Sequence, residues 1–151
     1  MNAPVPVSPT AHPLDPRSWE VTRADRASRA LSLVLALVAA AAVYGGVGLI
    51  TDRIGMTAQW LDGTPFTSWT LPGVALLAGV ALPQAVAAGL AVTAHRWAAA
   101  AGILAGIGLV LWIAVQLVVL GRFFWLQPVV VLFGLAEIAL AAWWSGHDGT
   151  A

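Results

Sequence analysis

The stretch AAAAGILAGIGLVLWIAVQLVVL, residues 98–120, carries no charge and lies between Arg96 and Arg122. Its length suits a membrane-spanning α-helix, which needs about 20 consecutive apolar residues. Three similar stretches cover residues 30–51, 63–95 and 123–144, and only Glu137 interrupts them. Apolar spans in hydrocarbon must satisfy their own backbone hydrogen bonds and therefore form helices. The sequence therefore predicts an all-α integral membrane protein with four helices. Because the links after the second and third helices are short, consecutive helices should be antiparallel, which gives a four-helix antiparallel bundle.

The predicted helices lie near residues 30–50, 72–94, 98–120 and 125–144, within a domain that spans residues 23–144. Residues 1–22 hold five prolines and few apolar side chains, which predicts a disordered tail. Thr22 to Asp25 match the capping-box pattern and predict the start of the first helix. The remaining segments are a loop at residues 51–71 and a tail at residues 145–151.

The composition excludes several other classes of protein. Of the 151 residues, 60% are hydrophobic and 9% are charged, whereas an ordinary soluble domain carries about 25% charged residues. The net charge is zero, which disfavours nucleic-acid binding. The chain has no Cys, and its three His fall in separate segments, so we expect no thiol chemistry, metal site, haem or other cofactor. We expect no catalytic residues and hence no enzyme.

Arginines are distributed unevenly about the predicted spans, and positive charge favours the cytoplasmic side of a membrane. This asymmetry predicts a multi-pass protein of the plasma membrane with both termini in the cytoplasm and loop 51–71 outside. Arg17, Arg23, Arg26, Arg29 and Arg96 lie on the side of the termini, against Arg53 and Arg122 on the other side.

Prolines mark two predicted helix starts and one interruption. Pro72 and Pro128 fall in first turns, where a missing N–H removes no helical hydrogen bond. Pro83 lies in the middle of the second span, where it frees the carbonyl of Gly79 and predicts a kink.

Loop 51–71 combines apolar residues with a turn sequence. Residues 54–61 favour an amphipathic turn at the membrane surface, and Gly63-Thr64-Pro65 predicts a reversal that would lay the loop over the bundle as a lid. Its two acids, Asp52 and Asp62, are better explained as solvated or paired with Arg53 than as catalytic groups.

Glu137 is the acid that falls inside a predicted span. An ionised carboxylate near the middle of a membrane helix costs at least ~2.5 kcal/mol, and no Arg lies within a span to pair with it. We therefore expect a protonated Glu137. Counting 1.5 Å per residue puts Glu137 and Gln84 at a similar depth, roughly 15 to 20 Å from the outer helix ends. Gln84 is the predicted hydrogen-bond partner, and the Gly79 carbonyl is an alternative acceptor.

Three further side chains fall in the outer half of the predicted bundle. Trp112 and Gln116 share a face of the third helix, and Tyr44 lies at comparable depth on the first. A pocket that opens outward would unite Glu137, Gln84, Gln116, Trp112 and Tyr44. The alternative is a set of internal hydrogen bonds that fixes helix packing. Transport is disfavoured because the inner half offers few polar stations for a through-pathway.

Small residues recur at four-residue spacing, as in Ala98, Gly102 and Gly106. Such rows let membrane helices approach closely. They fit a tight monomeric bundle in the lipid bilayer, but also a homo-oligomer or a larger membrane-protein partner.

Several short motifs stand at fixed places between the spans. They are Gly45-Gly46, LDGTPF at residues 61–66, Pro72-Gly73, Trp112 with Gln116, and WLQP at residues 125–128. This combination resembles a widespread group of small four-helix bacterial membrane proteins over about residues 30–144. The resemblance implies the same architecture and no particular activity.

Two functional classes remain. The first is a non-enzymatic structural or accessory component of a membrane assembly, favoured because no catalytic constellation is recognisable. The alternative is a binder or carrier of a small lipid-like or hydrophobic molecule in the pocket around Glu137.

Overall fold

The computed structural model describes the backbone of residues 16–148 and the side chains of residues 26–146. Within these ranges four helices form the fold, and no strand occurs. They are α1 (Pro16–Ile50), α2 (Thr70–Val92), α3 (Ala98–Leu120) and α4 (Leu126–Asp148). Each contains a segment long and apolar enough to cross a membrane. The bounds of α3 are those predicted from the flanking arginines.

Two helices extend beyond their predicted ends. Residues 16–22, assigned to a disordered tail, belong to α1, and Thr22 lies inside that helix instead of capping its start. No Gly or Pro occurs between residues 17 and 44, so a helix already formed in the apolar stretch propagates backward at little cost. Likewise, α4 continues through residues 145–148 of the predicted tail. The rest of the predicted N-terminal tail, residues 1–15, lies outside the described residues.

The second helix contains a wide turn at its middle. An α-helical segment Thr70–Leu76 leads into a π-helical segment Leu77–Ala81, after which α-helix resumes over Leu82–Val92. Pro83 stands two residues after the end of the wide turn and lacks the N–H that an α-helix would direct at Gly79. A single π-turn is a known way for a helix to absorb such an interruption. Pro72, in contrast, lies in the first turn, as expected.

The four helices form a closed antiparallel bundle that is square in cross-section. Consecutive helices contact each other, and α1 also contacts α4, which closes the square. At one end, the Ser28 hydroxyl on α1 donates to the Ala91 carbonyl on α2 at 3.1 Å. At the other end, Gly46 of α1 faces Gly73 of α2, where a Cβ on Gly73 would lie 2.8 Å from the Gly46 carbonyl oxygen. The pairing runs in opposite chain directions, so α1 and α2 are antiparallel.

The small-residue row of α3 packs against α4. A Cβ on Gly102 would lie 3.1 Å from the Cβ of Ala141, and a Cβ on Gly106 would lie 2.5 Å from the carbonyl oxygen of Gly134. The contact at Gly106 requires glycine, because the Gly134 carbonyl belongs to helical backbone and cannot move aside. At Gly102 the neighbouring side chains would need to shift by only a few tenths of an ångström. The glycines of this row therefore pack against α4 within the chain.

The loop between α1 and α2 folds onto the link between α3 and α4. A single 3₁₀ turn, Ala58–Leu61, replaces the predicted amphipathic turn, and Gly63 with φ +82° makes the predicted reversal. Trp60 contacts Phe124 with ring centroids 5.2 Å apart. Gln127 holds the link itself, since its side chain accepts from the Phe124 N–H and donates to the Arg122 carbonyl. The loop thus covers one end of the bundle.

Candidate functional site at the centre of the bundle

One polar pair lies in the middle of the apolar core. The buried apolar residues form two clusters, one around Leu31, Leu35 and Ala91 and one around Val80 and Leu109. Gln84 lies between the α2 residues of the two clusters, and Glu137 is its partner from α4. Their side chains are 1% and 0% exposed. The core is therefore divided by a hydrogen-bonded polar layer.

The pair joins two helices that are diagonal in the square. Gln84 Nε2 donates to Glu137 Oε2 at 2.9 Å, as predicted from the similar depth of the two residues. The alternative acceptor was the carbonyl of Gly79. Gly79 lies against the ring of Trp112, where a Cβ on the glycine would be 3.6 Å from Trp112 Cζ3. Adjacent helices already contact each other, so this bond adds a direct link between the diagonal helices α2 and α4.

Local structure places both members of the pair. Gln84 follows the π-turn and Pro83, so its direction is set by the interruption in α2. Glu137 is held where α3 and α4 come closest, since a Cβ on Gly106 would lie 3.2 Å from the Glu137 Cβ. The glycine lets the backbone of α4 approach, and the carboxyl then reaches inward across the bundle.

Each member of the pair keeps one oxygen without a hydrogen-bond partner. Gln84 Oε1 and Glu137 Oε1 are both buried and make no hydrogen bond within the described part of the chain. Buried polar atoms are nearly always satisfied, so such exceptions call for an explanation. A neutral Glu137 would offer an O–H donor beside the Gln84 acceptor. One water molecule, or one small group with both a donor and an acceptor, would complete the set.

The pair is closed in this structure. Two surface grooves lie elsewhere, one along α1 beside Tyr44 and one in the loop beside Asp62. Neither groove is lined by Gln84 or Glu137. A molecule could reach the pair only if helices or side chains moved first.

The other predicted pocket residues lie elsewhere. Trp112 is partly buried against Gly79 and the apolar cluster nearer the loop. Gln116, one turn further along α3, is partly buried and makes no hydrogen bond within residues 26–146. Tyr44 points away from the bundle, with its side chain 74% exposed. The structure therefore unites Gln84 with Glu137 and does not bring Tyr44 to them.

Sequence reasoning missed two features of the fold, one beside the pair and one at the loop end of the bundle. The π-turn has no signal of its own in the sequence, although Pro83 marks its position. The contact of Trp60 with Phe124 joins two loops far apart in the chain, and no periodic pattern links them. Within the residues that the structure describes, no group of three or more His, Cys, Asp or Glu side chains could hold a metal ion.

Comparison with known proteins adds no further assignment, since no family model, curated protein or solved structure matches the chain.

Proposed function

We propose that this chain is a non-enzymatic, multi-pass protein of a bacterial plasma membrane that acts as a structural or accessory component of a membrane assembly. Both termini lie in the cytoplasm and the loop after α1 lies outside, because the arginine distribution favours that orientation. The proposal accounts for the absence of a recognisable catalytic constellation.

The closed Gln84–Glu137 pair carries the proposal. An acid within a membrane span is expensive and is by default a candidate for binding or transport. Here the acid is fully buried and bonded to a diagonal helix. The bond links α2 to α4 across the bundle, and neither of the two surface grooves described above reaches the pair. A rigid bundle with broad apolar faces suits a protein that supports other membrane components.

Those faces are extensive. In the most apolar window of each helix, only 22% to 33% of the residues are buried within the chain. The remainder faces lipid or a partner. Large side chains stand outward on all four helices, among them Leu33 on α1, Leu82 on α2, Leu104 on α3 and Leu132 on α4.

Purification in mild detergent, followed by mass spectrometry of the intact complex, tests this proposal. We expect a protein partner in fixed stoichiometry. Leu33→Trp, Leu82→Trp, Leu104→Trp and Leu132→Trp each enlarge one outward face without entering the core, so one of them should release the partner. Glu137→Gln, which preserves the inner bond, is the matched control and should retain it. Purification of a lone chain in every preparation would contradict an accessory role.

The two unpartnered oxygens favour a second candidate, a binder of a small hydrophobic molecule. A lipid-like or quinone-like molecule with one donor and one acceptor would satisfy both Gln84 Oε1 and Glu137 Oε1. Its entry would require the bundle to open. A small molecule that travels with the wild-type protein and is lost on Glu137→Leu would support this candidate, provided that Leu104→Trp retains it.

A further inference from the structure

A groove of about 550 Å³ runs along the outer face of α1 at its loop end. Its walls are mostly apolar and come from the last turns of α1 and the first loop residues. They include Ala40, Val43, Tyr44, Val47, Gly48 and Arg53.

The end of α1 is built so that the groove has a fixed mouth. The N–H of Arg53 donates to the Gly48 carbonyl at 3.0 Å, and the N–H of Asp52 donates to the Leu49 carbonyl. Asp52 has φ +53°, so these bonds form the Schellman arrangement that ends many helices. Arg53 therefore leaves the helix at a defined place beside the groove.

A loop side chain closes the groove beyond the helix end. Ile54 folds back over Gly48, where a Cβ on the glycine would lie 2.6 Å from Ile54 Cγ2. Glycine at this position lets the first loop residues stay close to α1, so that apolar wall and arginine belong to one rigid unit.

Of the three polar side chains that line the groove, Thr51 donates its hydroxyl to the Val47 carbonyl at 2.8 Å, and the other two are free within the described residues. Neither the Arg53 guanidinium nor the Tyr44 hydroxyl has a hydrogen-bond or ion-pair partner anywhere in the described residues. Asp52 precedes Arg53 but does not line the groove. Of the two explanations given for the loop acids, pairing with Arg53 does not occur within the described residues, and both acids are exposed to solvent. The unpaired cation of Arg53 therefore lies at one end of the apolar groove. Tyr44 lies further along it, six residues or about 9 Å of helix rise before the last helical residue, Ile50.

We propose that this groove binds one anionic phospholipid of the leaflet on the loop side. The Arg53 guanidinium binds the headgroup phosphate, because its planar donors match phosphate oxygens. One acyl chain lies against Ala40, Val43 and Val47. The Tyr44 hydroxyl donates to an ester oxygen of the same lipid. The site requires membrane insertion of α1 and is independent of any protein partner.

Binding of added lipid to the purified full-length protein tests the site. We would add phosphatidylglycerol or phosphatidylcholine to protein in mild detergent and count retained lipid by native mass spectrometry. The wild type should retain one phosphatidylglycerol in preference to phosphatidylcholine. Arg53→Gln should weaken retention about fivefold, since one basic residue near an anionic lipid surface contributes ~1 kcal/mol. Arg122→Gln is the matched control, because Arg122 lies on the same side outside the groove, and it should bind as the wild type does.

A second variant tests the apolar part of the groove. Ala40→Phe fills the groove without touching Arg53 and should also displace the lipid. Glycerol phosphate, which has no acyl chains, should not compete with the lipid for the groove. Equal retention of both lipids, equal effects of Arg53→Gln and Arg122→Gln, or full competition by glycerol phosphate would each overturn the proposal. A dimer that Ala40→Phe dissociates, with no lipid retained, would assign the groove to a second copy instead. Thermal melting of each variant establishes that it is folded.

Discussion

Replacing Gly106 with alanine should loosen the contact between α3 and α4. The new Cβ would lie 2.5 Å from the Gly134 carbonyl oxygen and 2.8 Å from Ile138 Cγ1. The isoleucine can rotate away, but the carbonyl belongs to helical backbone. The two helices must therefore separate by several tenths of an ångström, at the level where Glu137 reaches across the bundle.

The magnitude follows from comparison with a glycine on the open face of the same helix. A Cβ on Gly108 would meet nothing within 4 Å. Both substitutions gain the same intrinsic helix propensity, up to about 1 kcal/mol for Gly to Ala. Only Gly106→Ala adds overpacking, which costs typically about 1 to 3 kcal/mol. The free energy of unfolding should therefore be lower for Gly106→Ala than for Gly108→Ala by about 1 to 3 kcal/mol.

Reversible unfolding in mixed micelles of mild detergent and dodecyl sulfate measures this difference. Gly108→Ala should match or exceed the wild type, and Gly106→Ala should fall below it. If the two variants agreed within about 0.5 kcal/mol, which is the usual error of additivity, the close approach of the two helices would be refuted.

Three further predictions concern the pair, the loop and the orientation. In a double-mutant cycle, Gln84→Leu and Glu137→Leu should couple by about 0.6 to 1.7 kcal/mol of unfolding free energy, as hydrogen bonds in membrane proteins do. Glu137→Gln should stay near the wild type, and zero coupling would exclude a stabilising bond. Trp60→Ala should undock the loop and raise its rate of proteolysis with little change in helix content, and an unchanged rate would argue against the contact. A cysteine placed at Thr57 should react with an impermeant thiol reagent on intact cells, whereas one at Ser145 should not. The reverse pattern would show the opposite orientation.

The helix positions could be predicted where charges or turn residues mark both ends. Arg96 and Arg122 bracket α3, and its observed bounds match the sequence prediction. The start of α1 carries no such mark, because residues 17–44 contain neither Gly nor Pro. A capping pattern inside a good helix-forming stretch does not stop the helix, since propagation costs far less than nucleation.

The polar pair could be predicted because depth depends only on rise per residue. Gln84 and Glu137 were matched in this way, and they are bonded in the structure. Rotation about the helix axis is a different matter. Tyr44 has a suitable depth but points outward. Lipid and core are both apolar, so the sequence pattern of a membrane helix carries little information about which face is inside.

The π-turn in α2 acts as a change of phase along the helix. Gly73 and Gln84 are eleven residues apart, which in an unbroken α-helix would bring them within about 20° of the same face. Gly73 meets α1, whereas Gln84 must meet α4 across the bundle. The wide turn contains one residue more than an α-helical turn, and this extra residue rotates Gln84 about the helix axis, away from the face that carries Gly73. If the same residues instead formed a regular α-helix throughout, Gln84 would be turned by about 100° relative to Gly73. The π-turn thus allows a single helix to contact α1 near its start and α4 at its middle.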